Sequence, residues 1–108
     1  MTHPANALDD VVHQRVRLGV LAIAAEARRV EFGFLQTSLD LTAGNLSKHV
    51  TVLENAGLIE VEKGYAGRRP RTWIRLTPAG RRALREEIRH LKRLIDQLES
   101  EGDKSEPS

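Results

Sequence analysis

The hydrogen-bonding side chains of Asn45, Ser47, Lys48 and Thr51 fall within seven consecutive residues of this chain. The apolar residues Leu46, Val50 and Leu53 recur among them at intervals of four and three, which is the spacing of one buried helix face. The polar residues therefore share the exposed face of the same helix. A short helix that presents amide, hydroxyl and ammonium groups at one end suits the major groove of DNA.

The four side chains predict two kinds of contact. The Asn45 amide fits an adenine edge and the Lys48 ammonium fits a guanine edge. The hydroxyls of Ser47 and Thr51 are better suited to phosphates. Most exposed polar residues of a helix contact only solvent, so this face alone does not separate a binding helix from a solvated one.

Both ends of this helix are marked in the sequence. Thr42 can cap the helix by accepting a hydrogen bond from a free N–H of its first turn. Gly57 can adopt the left-handed conformation that closes a helix, with Leu58 as the hydrophobic contact beyond it. The N–H groups near Thr42 and Gly44 would add partial positive charge that suits a phosphate.

A basic hairpin is predicted directly after this helix. Ile59 and Val61 alternate with glutamates, which is typical of a half-buried strand, and a second strand is predicted over residues 71–76. The glycines and proline of segment 63–70 predict a loop between them. Its arginine cluster consists of Arg68, Arg69 and Arg71. Such a cluster favours the DNA backbone or minor groove, although a charged loop often serves only solubility.

Residues of catalytic or metal-binding type are present but poorly arranged. Ser47, Lys48 and His49 are consecutive helix positions, about 100° apart around the axis, so they cannot form a proton relay. We expect His49 to be a half-buried packing residue. Glu86 and His90 lie one turn apart, but they do not complete a metal site, and the chain has no cysteine. We therefore expect no enzymatic activity, no metal and no cofactor.

The flanking sequence supplies the elements that would position the polar helix. A helix-prone segment covers residues 9–28, and a short second helix is predicted over residues 32–39. That short helix and the polar helix would form a helix-turn-helix. The folded domain is predicted to span residues 8–100, with flexible tails at 1–7 and 101–108.

A long last helix is predicted over residues 78–100, with Thr77 as its cap and Pro78 at its first position. Its apolar residues, spaced 4-3-4-3, are Leu84, Ile88, Leu91, Ile95 and Leu98. This pattern predicts a seam with a second copy of the chain, which Val12 of the first helix is predicted to join. A helix that only covers its own domain could show similar spacing.

The composition is that of a globular domain, with 108 residues, 40% hydrophobic and 30% charged, and a net charge of +2. The charges are unevenly placed, because eleven lysines and arginines but only two acidic residues lie between residues 63 and 93. This asymmetry predicts a basic working face. The sequence shows neither a secretion signal nor an apolar run long enough to cross a bilayer, so we expect a cytoplasmic protein.

The region 16–83 resembles the winged-helix DNA-binding domain of small bacterial and archaeal transcriptional regulators related to the MarR family. The motifs that carry the resemblance are segments 44–49, 53–54, 56–58, 67–72 and 76–80. The resemblance implies an α+β, mostly helical fold, a winged helix-turn-helix with a long C-terminal dimerisation helix. It also implies a dimeric transcription factor, with the third helix in the major groove of double-stranded DNA and the wing on an adjacent groove or the backbone.

Other interpretations stay open at this point. Winged helices also serve as protein-interaction modules without DNA contact, and exposed apolar patches would then mark the working face. A small-molecule effector could bind between the first and last helices, although few aromatic residues are available to line a pocket. Trp73 could pack under the last helix, contact a partner subunit or cover the stems of Arg71 and Arg75.

Overall fold

The computed structural model describes residues 14–105, with side chains as far as residue 102. These residues form four helices and a three-stranded antiparallel sheet. The elements in chain order are α1 (Arg15–Ala25), β1 (Val30–Glu31), α2 (Phe32–Ser38), α3 (Ala43–Asn55), β2 (Ile59–Ala66), β3 (Arg69–Leu76) and α4 (Pro78–Ser105). Helices α2 and α3 form the helix-turn-helix, and the β2–β3 hairpin forms the wing. The predicted winged-helix fold is confirmed.

Both ends of α3 have the predicted structure. Thr42 Oγ1 accepts the N–H of Asn45 at 3.1 Å. At the other end Gly57 has a φ of 76°, and the N–H of Leu58 donates to the carbonyl of Leu53 at 3.0 Å. This closure is a Schellman motif, which satisfies carbonyl groups that the last turn of a helix leaves open.

Helix α1 is shorter than the predicted segment 9–28. It begins at Arg15, because Gln14 has an extended ψ of 129° and its side-chain oxygen accepts the N–H of Val16 at 2.8 Å. It ends at Ala25. The predicted start of this helix, the predicted tail 1–7 and Val12 lie outside the described residues.

Helix α4 is longer than predicted and continues from Pro78 to Ser105. The apolar spacing that defined its predicted end stops at Leu98, but the backbone hydrogen bonds of a helix continue without an apolar face. One such extension is visible in the hydrogen bond of 3.3 Å from the Gln97 amide to the carboxylate of Glu101. Residues 101–105, predicted as part of a flexible tail, are therefore helical.

The sheet has the strand order β1-β3-β2 and contains a strand that the sequence did not predict. Segment 29–31 lies between the helices predicted over residues 9–28 and 32–39, yet Val30 pairs with Ile74 and Glu31 with Trp73. Two residues are too few to show an alternating pattern in sequence. Their position beside β3 makes β3 the central strand of the sheet.

The wing strands extend further than predicted. The β2–β3 register runs from Ile59 opposite Leu76 to Ala66 opposite Arg69, so segment 63–70 is almost entirely paired strand rather than a loop. Only residues 67–68 form the turn, where Gly67 has a φ of 65°. Proline does not interrupt the hairpin, because β1 pairs only with residues 73–74 and leaves β3 as an edge strand at residue 70.

The core lies where α1, α3 and the inner face of the sheet meet. Leu21, Leu46, Leu53 and Ile74 are fully buried within it. Leu84 of α4 packs into the same core and is 7% exposed, so α4 covers the domain with its first turns. Burial of each such side chain contributes about 1.5–3 kcal/mol, which fixes the face that α3 leaves exposed.

Candidate nucleic-acid interface

The polar face of α3 is exposed as predicted. Its apolar stripe is buried, and every polar candidate of this helix is exposed: Asn45, Ser47, Lys48 and Thr51. Gly44 is also exposed, and a Cβ at this position would meet nothing within 4 Å. The first turn of α3 is therefore open to a ligand along its backbone as well as along its side chains.

A groove of about 310 Å³ separates α3 from the inner face of the wing. Its lining residues are Phe32, Ser47, Val50, Thr51, Glu54, Val61, Lys63 and Thr72. The structure thus brings the hydroxyls of Ser47 and Thr51 together with Lys63 and Thr72 of the wing. Thr72 was not a candidate from sequence, but strand alternation places it on the same face as buried Ile74, which was a signal available before the structure.

The wing tip carries two exposed arginines. Arg68 lies in the turn and Arg69 is the first residue of β3. Neither makes an ion pair with a described carboxylate. Tyr65 of β2 lies opposite Pro70, next to the tip, and is 75% exposed. The tip therefore presents an aromatic ring together with unneutralised positive charge.

Arg71 lies apart from the tip, on the outer face of the sheet. Its guanidinium donates to the Glu31 carboxylate at 2.6 Å, and both side chains are about one-third exposed. A DNA contact from Arg71 would compete with this pair. The predicted cluster of three arginines is thus divided into two at the tip that have no acidic partner among the described residues and one below it that is paired.

The same outer face holds a network of opposite charges around Trp73. The Arg29 guanidinium lies 4.0 Å from the centre of the Trp73 ring and 3.4 Å from the Glu62 carboxylate. Arg75 pairs with Glu60 and approaches Glu62 at 3.5 Å. The hydrogen bond and charge of Glu60 raise the pKa of Arg75 further above its ordinary value. Trp73 therefore packs against Arg29, a partner that none of the sequence alternatives included.

The histidines do not form a reactive site in the described part of the chain. His49 is half-buried, and its pKa is lowered first by burial and then by the positive charges of Arg17 and Lys48. His90 Nε2 lies 3.0 Å from the Glu86 carboxylate. Among the described residues, no group of three histidine, cysteine, aspartate or glutamate side chains could hold a metal ion.

The predicted seam on α4 is largely exposed beyond its first member. Leu84 is already covered by the core of its own chain, so the free stripe begins one turn later. Ile88, Ile95 and Leu98 are 42–54% exposed, and Leu91 between them is half-buried.

The described helices include none that is long and apolar enough to cross a membrane.

Comparisons with known proteins agree with this architecture. An uncharacterized protein of Methanocaldococcus jannaschii is 34% identical over 84 residues, which cover 78% of this chain and 91% of the relative. A transcriptional regulator homologue from Pyrococcus horikoshii OT3 has a solved structure with a TM-score of 0.79 and 35% identity. That match covers 87% of this chain and 94% of the other.

A more distant structure, from Enterococcus faecalis V583 and assigned to the MarR family of transcriptional regulators, shares the fold. Its TM-score is 0.70 at 21% identity, over 93% of this chain and 89% of the other. A family model described as a winged helix DNA-binding domain matches residues 16–95. That match includes the helix-turn-helix, the wing and most of α4. The chain therefore belongs to the winged-helix DNA-binding domain family, with MarR-family regulators among its structural neighbours.

Proposed function

We propose that the protein is a sequence-specific transcriptional regulator that binds double-stranded DNA as a homodimer. The observation that carries this proposal is the exposed polar face of α3, together with two exposed wing-tip arginines, Arg68 and Arg69, that form no ion pair with a described carboxylate. The groove that separates α3 from the wing is lined by hydroxyls, by Lys63 and Glu54 and by apolar side chains, and it brings the α3 hydroxyls opposite Lys63. DNA supplies phosphates for this groove and base edges for the end of the helix.

Each element has a separate role in this proposal. Helix α3 enters the major groove, where Asn45 and Lys48 read base edges. Ser47 and Thr51 hold phosphates together with Lys63 on the opposite wall of the groove. The backbone N–H groups near Thr42 and Gly44 add a further phosphate contact, since the Thr42 hydroxyl is already engaged as the helix cap.

The wing tip completes the footprint on an adjacent groove or on the backbone. Arg68 and Arg69 contribute most of its positive charge, because both are exposed and lack described acidic partners. Arg71 remains a candidate contact, but a weaker one than the sequence predicted, since its guanidinium donates to Glu31. The part of the outer face that lies toward the base of the wing, around Trp73 and Arg75, would point away from DNA.

The homodimer rests on the exposed stripe of α4. Ile88, Leu91, Ile95 and Leu98 repeat at a/d spacing on a helix that extends beyond the core of its own chain. Pairing of this stripe across a two-fold axis would bury it and place two α3 helices on one side of the dimer. Half-sites of a pseudo-palindrome would then lie about 34 Å apart, one turn of DNA.

A matched pair of double variants tests the DNA contact. Arg68→Ala/Arg69→Ala removes two charges from the tip, and Arg29→Ala/Arg75→Ala removes the same charge from the outer face. With DNA selected by the wild-type protein, the tip variant should lose at least about tenfold in affinity, and its salt slope should fall by about 2 for each bound protomer. The control should keep the wild-type slope. Equal behaviour of the two variants in fluorescence anisotropy titrations at several salt concentrations would refute the assignment of the wing.

A second pair tests the dimer. Ile95→Asp places a charge in the exposed stripe, whereas Arg93→Asp places one on the opposite side of α4. Light scattering should give a dimer for the wild type and for Arg93→Asp, and a 12.1 kDa monomer for Ile95→Asp. A monomeric wild type at micromolar concentration would remove the stripe as an interface.

A further inference from the structure

The C-terminal end of α3 and the first turn of α4 are joined through Thr77. The Thr77 hydroxyl donates to the carbonyl oxygen of Gly57 at 2.7 Å and accepts the N–H of Gly80 at 2.9 Å. The Thr77 N–H also donates to the carbonyl oxygen of Leu58, at 3.1 Å. Thr77 therefore caps α4 and, at the same time, holds the two residues that close α3.

Close packing fixes the same junction. Gly80 is buried, and a Cβ at this position would lie 2.9 Å from the carbonyl carbon of Leu58 and 2.7 Å from Leu76 Cδ1. An alanine would fit only if the first turn of α4 moved away from Leu58. Packed protein interiors transmit strain rather than yielding locally. The close packing at Gly80 therefore allows only one position of α4 against the end of α3.

We propose that this junction sets the distance between the two α3 helices of the dimer, with Thr77 and Gly80 as positioning residues. The inference rests on the proposed function, because it requires both DNA contact by α3 and pairing through α4. Neither residue is expected to touch DNA. They act by fixing the angle between the helix that reads DNA and the helix that pairs with the second copy.

The length of α4 makes that angle consequential. The exposed stripe from Ile88 to Leu98 lies about 15 to 30 Å along the helix from Thr77, at a rise of about 1.5 Å per residue. A tilt of about 10° at the junction would move the far end of the stripe by about 5 Å. Base pairs are spaced about 3.4 Å apart along DNA. A loose junction would therefore allow half-site spacings that differ by a base pair, and a fixed junction selects one.

Two substitutions of Thr77 separate the bridge from the cap. Thr77→Asp keeps an oxygen that accepts the Gly80 N–H and is a favourable helix cap, but its carboxylate has no hydrogen to donate to Gly57. Thr77→Ser keeps both hydrogen bonds. The full-length protein is titrated with palindromic duplexes that carry the selected half-sites and differ by single base pairs in the spacer. Wild type and Thr77→Ser should prefer one spacing by about tenfold or more, and Thr77→Asp should bind adjacent spacings within about threefold.

Gly80→Ala provides an independent perturbation of the same junction and should also broaden the spacing preference. Affinity for a duplex with a single half-site should be unchanged in both variants, because α3 and the wing are intact. The inference is overturned if folded, dimeric Thr77→Asp and Gly80→Ala keep the wild-type preference. It is also rejected if both variants are unfolded, since the junction would then be a requirement of folding. A wild type that does not discriminate palindromes from single half-sites would instead contradict the proposed function, and the inference with it.

Discussion

The tip of the wing and the outer face of its sheet are both rich in arginine, yet the structure gives these arginines opposite surroundings. At the tip, Arg68 and Arg69 are exposed without a described acidic neighbour. On the outer face, Arg29, Arg71 and Arg75 each pair with a glutamate. A count of basic residues therefore overestimates the cationic surface that is available to a polyanion, because neighbouring carboxylates neutralise part of it.

The strand register accounts for the difference. Glu60 lies directly opposite Arg75 and Glu62 directly opposite Trp73, so acidic and basic side chains of neighbouring strands share the outer face. Beyond Glu62 the sequence of β2 contains no acidic residue. The charges of the hairpin are thus neutralised near its base, and its net positive charge lies at the tip. The tip is therefore the part of the wing that attracts a polyanion.

Charge reversal at the two places is expected to give the largest effects, on different quantities. Arg68→Glu/Arg69→Glu should lower affinity for selected DNA by about 100-fold or more, because it replaces attraction to phosphates with repulsion. Its free energy of unfolding should stay within about 0.5 kcal/mol of wild type, as for other surface substitutions. Anisotropy titrations and urea unfolding measure the two quantities.

Arg75→Glu is the matched reversal on the outer face. It creates a cluster of like charges with Glu60 and Glu62, so the free energy of unfolding should fall while DNA affinity changes little. If both reversals weakened DNA binding to the same extent, net charge and not position would control binding, and the contrast between the two regions would be lost.

The two aromatic residues of the hairpin extend the comparison. Trp73→Ala removes a half-buried ring and its contact with Arg29, so the free energy of unfolding should fall by about 1–2 kcal/mol. Tyr65→Ala removes a ring that is 75% exposed, so the free energy of unfolding should change by less than about 0.5 kcal/mol. Urea unfolding followed by circular dichroism measures both. Equal losses would mean that the Tyr65 ring packs against the wing in solution.

Local sequence signals predicted most of the fold. The cap Thr42, the closing Gly57 and the stripe formed by Leu46, Val50 and Leu53 bounded and oriented α3, because helix ends and helix periodicity depend on residues close together in the chain. The spacing on α4 likewise identified a real helix. Its first apolar residue, Leu84, packs into the core of its own chain, and the same spacing describes core and seam.

Features that depend on distant pairing were not accessible in the same way. Strand β1 is two residues long and exists because β3 lies beside it. The strand pairing of segment 63–66 with 69–72 overrode glycines and a proline that locally favour a loop. The division of the arginines into free and paired sets required the position of Glu31, forty residues from Arg71. The candidate interface could therefore be located from sequence, but the sequence could not predict which of its arginines are paired with glutamates.

Arg71 lies between the wing tip and the paired arginines of the outer face. Its substitution tests where the DNA-binding part of the wing ends. Because its guanidinium bonds Glu31, Arg71→Ala should lower the free energy of unfolding by about 0.5 kcal/mol, after allowance for solvent exposure. Its DNA affinity should fall by less than about threefold, compared with about tenfold for Arg69→Ala. A loss in Arg71→Ala that matched Arg69→Ala would show that Arg71 leaves Glu31 to bind DNA, and would move the boundary toward the base of the wing.

The smallest effect is expected at His49, where the buried and exposed faces of α3 meet. Burial and the charges of Arg17 and Lys48 lower its pKa in the folded state below the ordinary value of 6.5. The unfolded chain therefore binds a proton more readily than the folded one. Its contribution to stability is full above about pH 7.5 and is lost as the pH falls through about 6.5 toward the folded pKa. His49→Gln should remove this dependence, so the difference in free energy of unfolding between wild type and variant should change as the pH falls from about 7.5 through 6.5. A constant difference across that range would show that neither burial nor the neighbouring cations lower the pKa of His49.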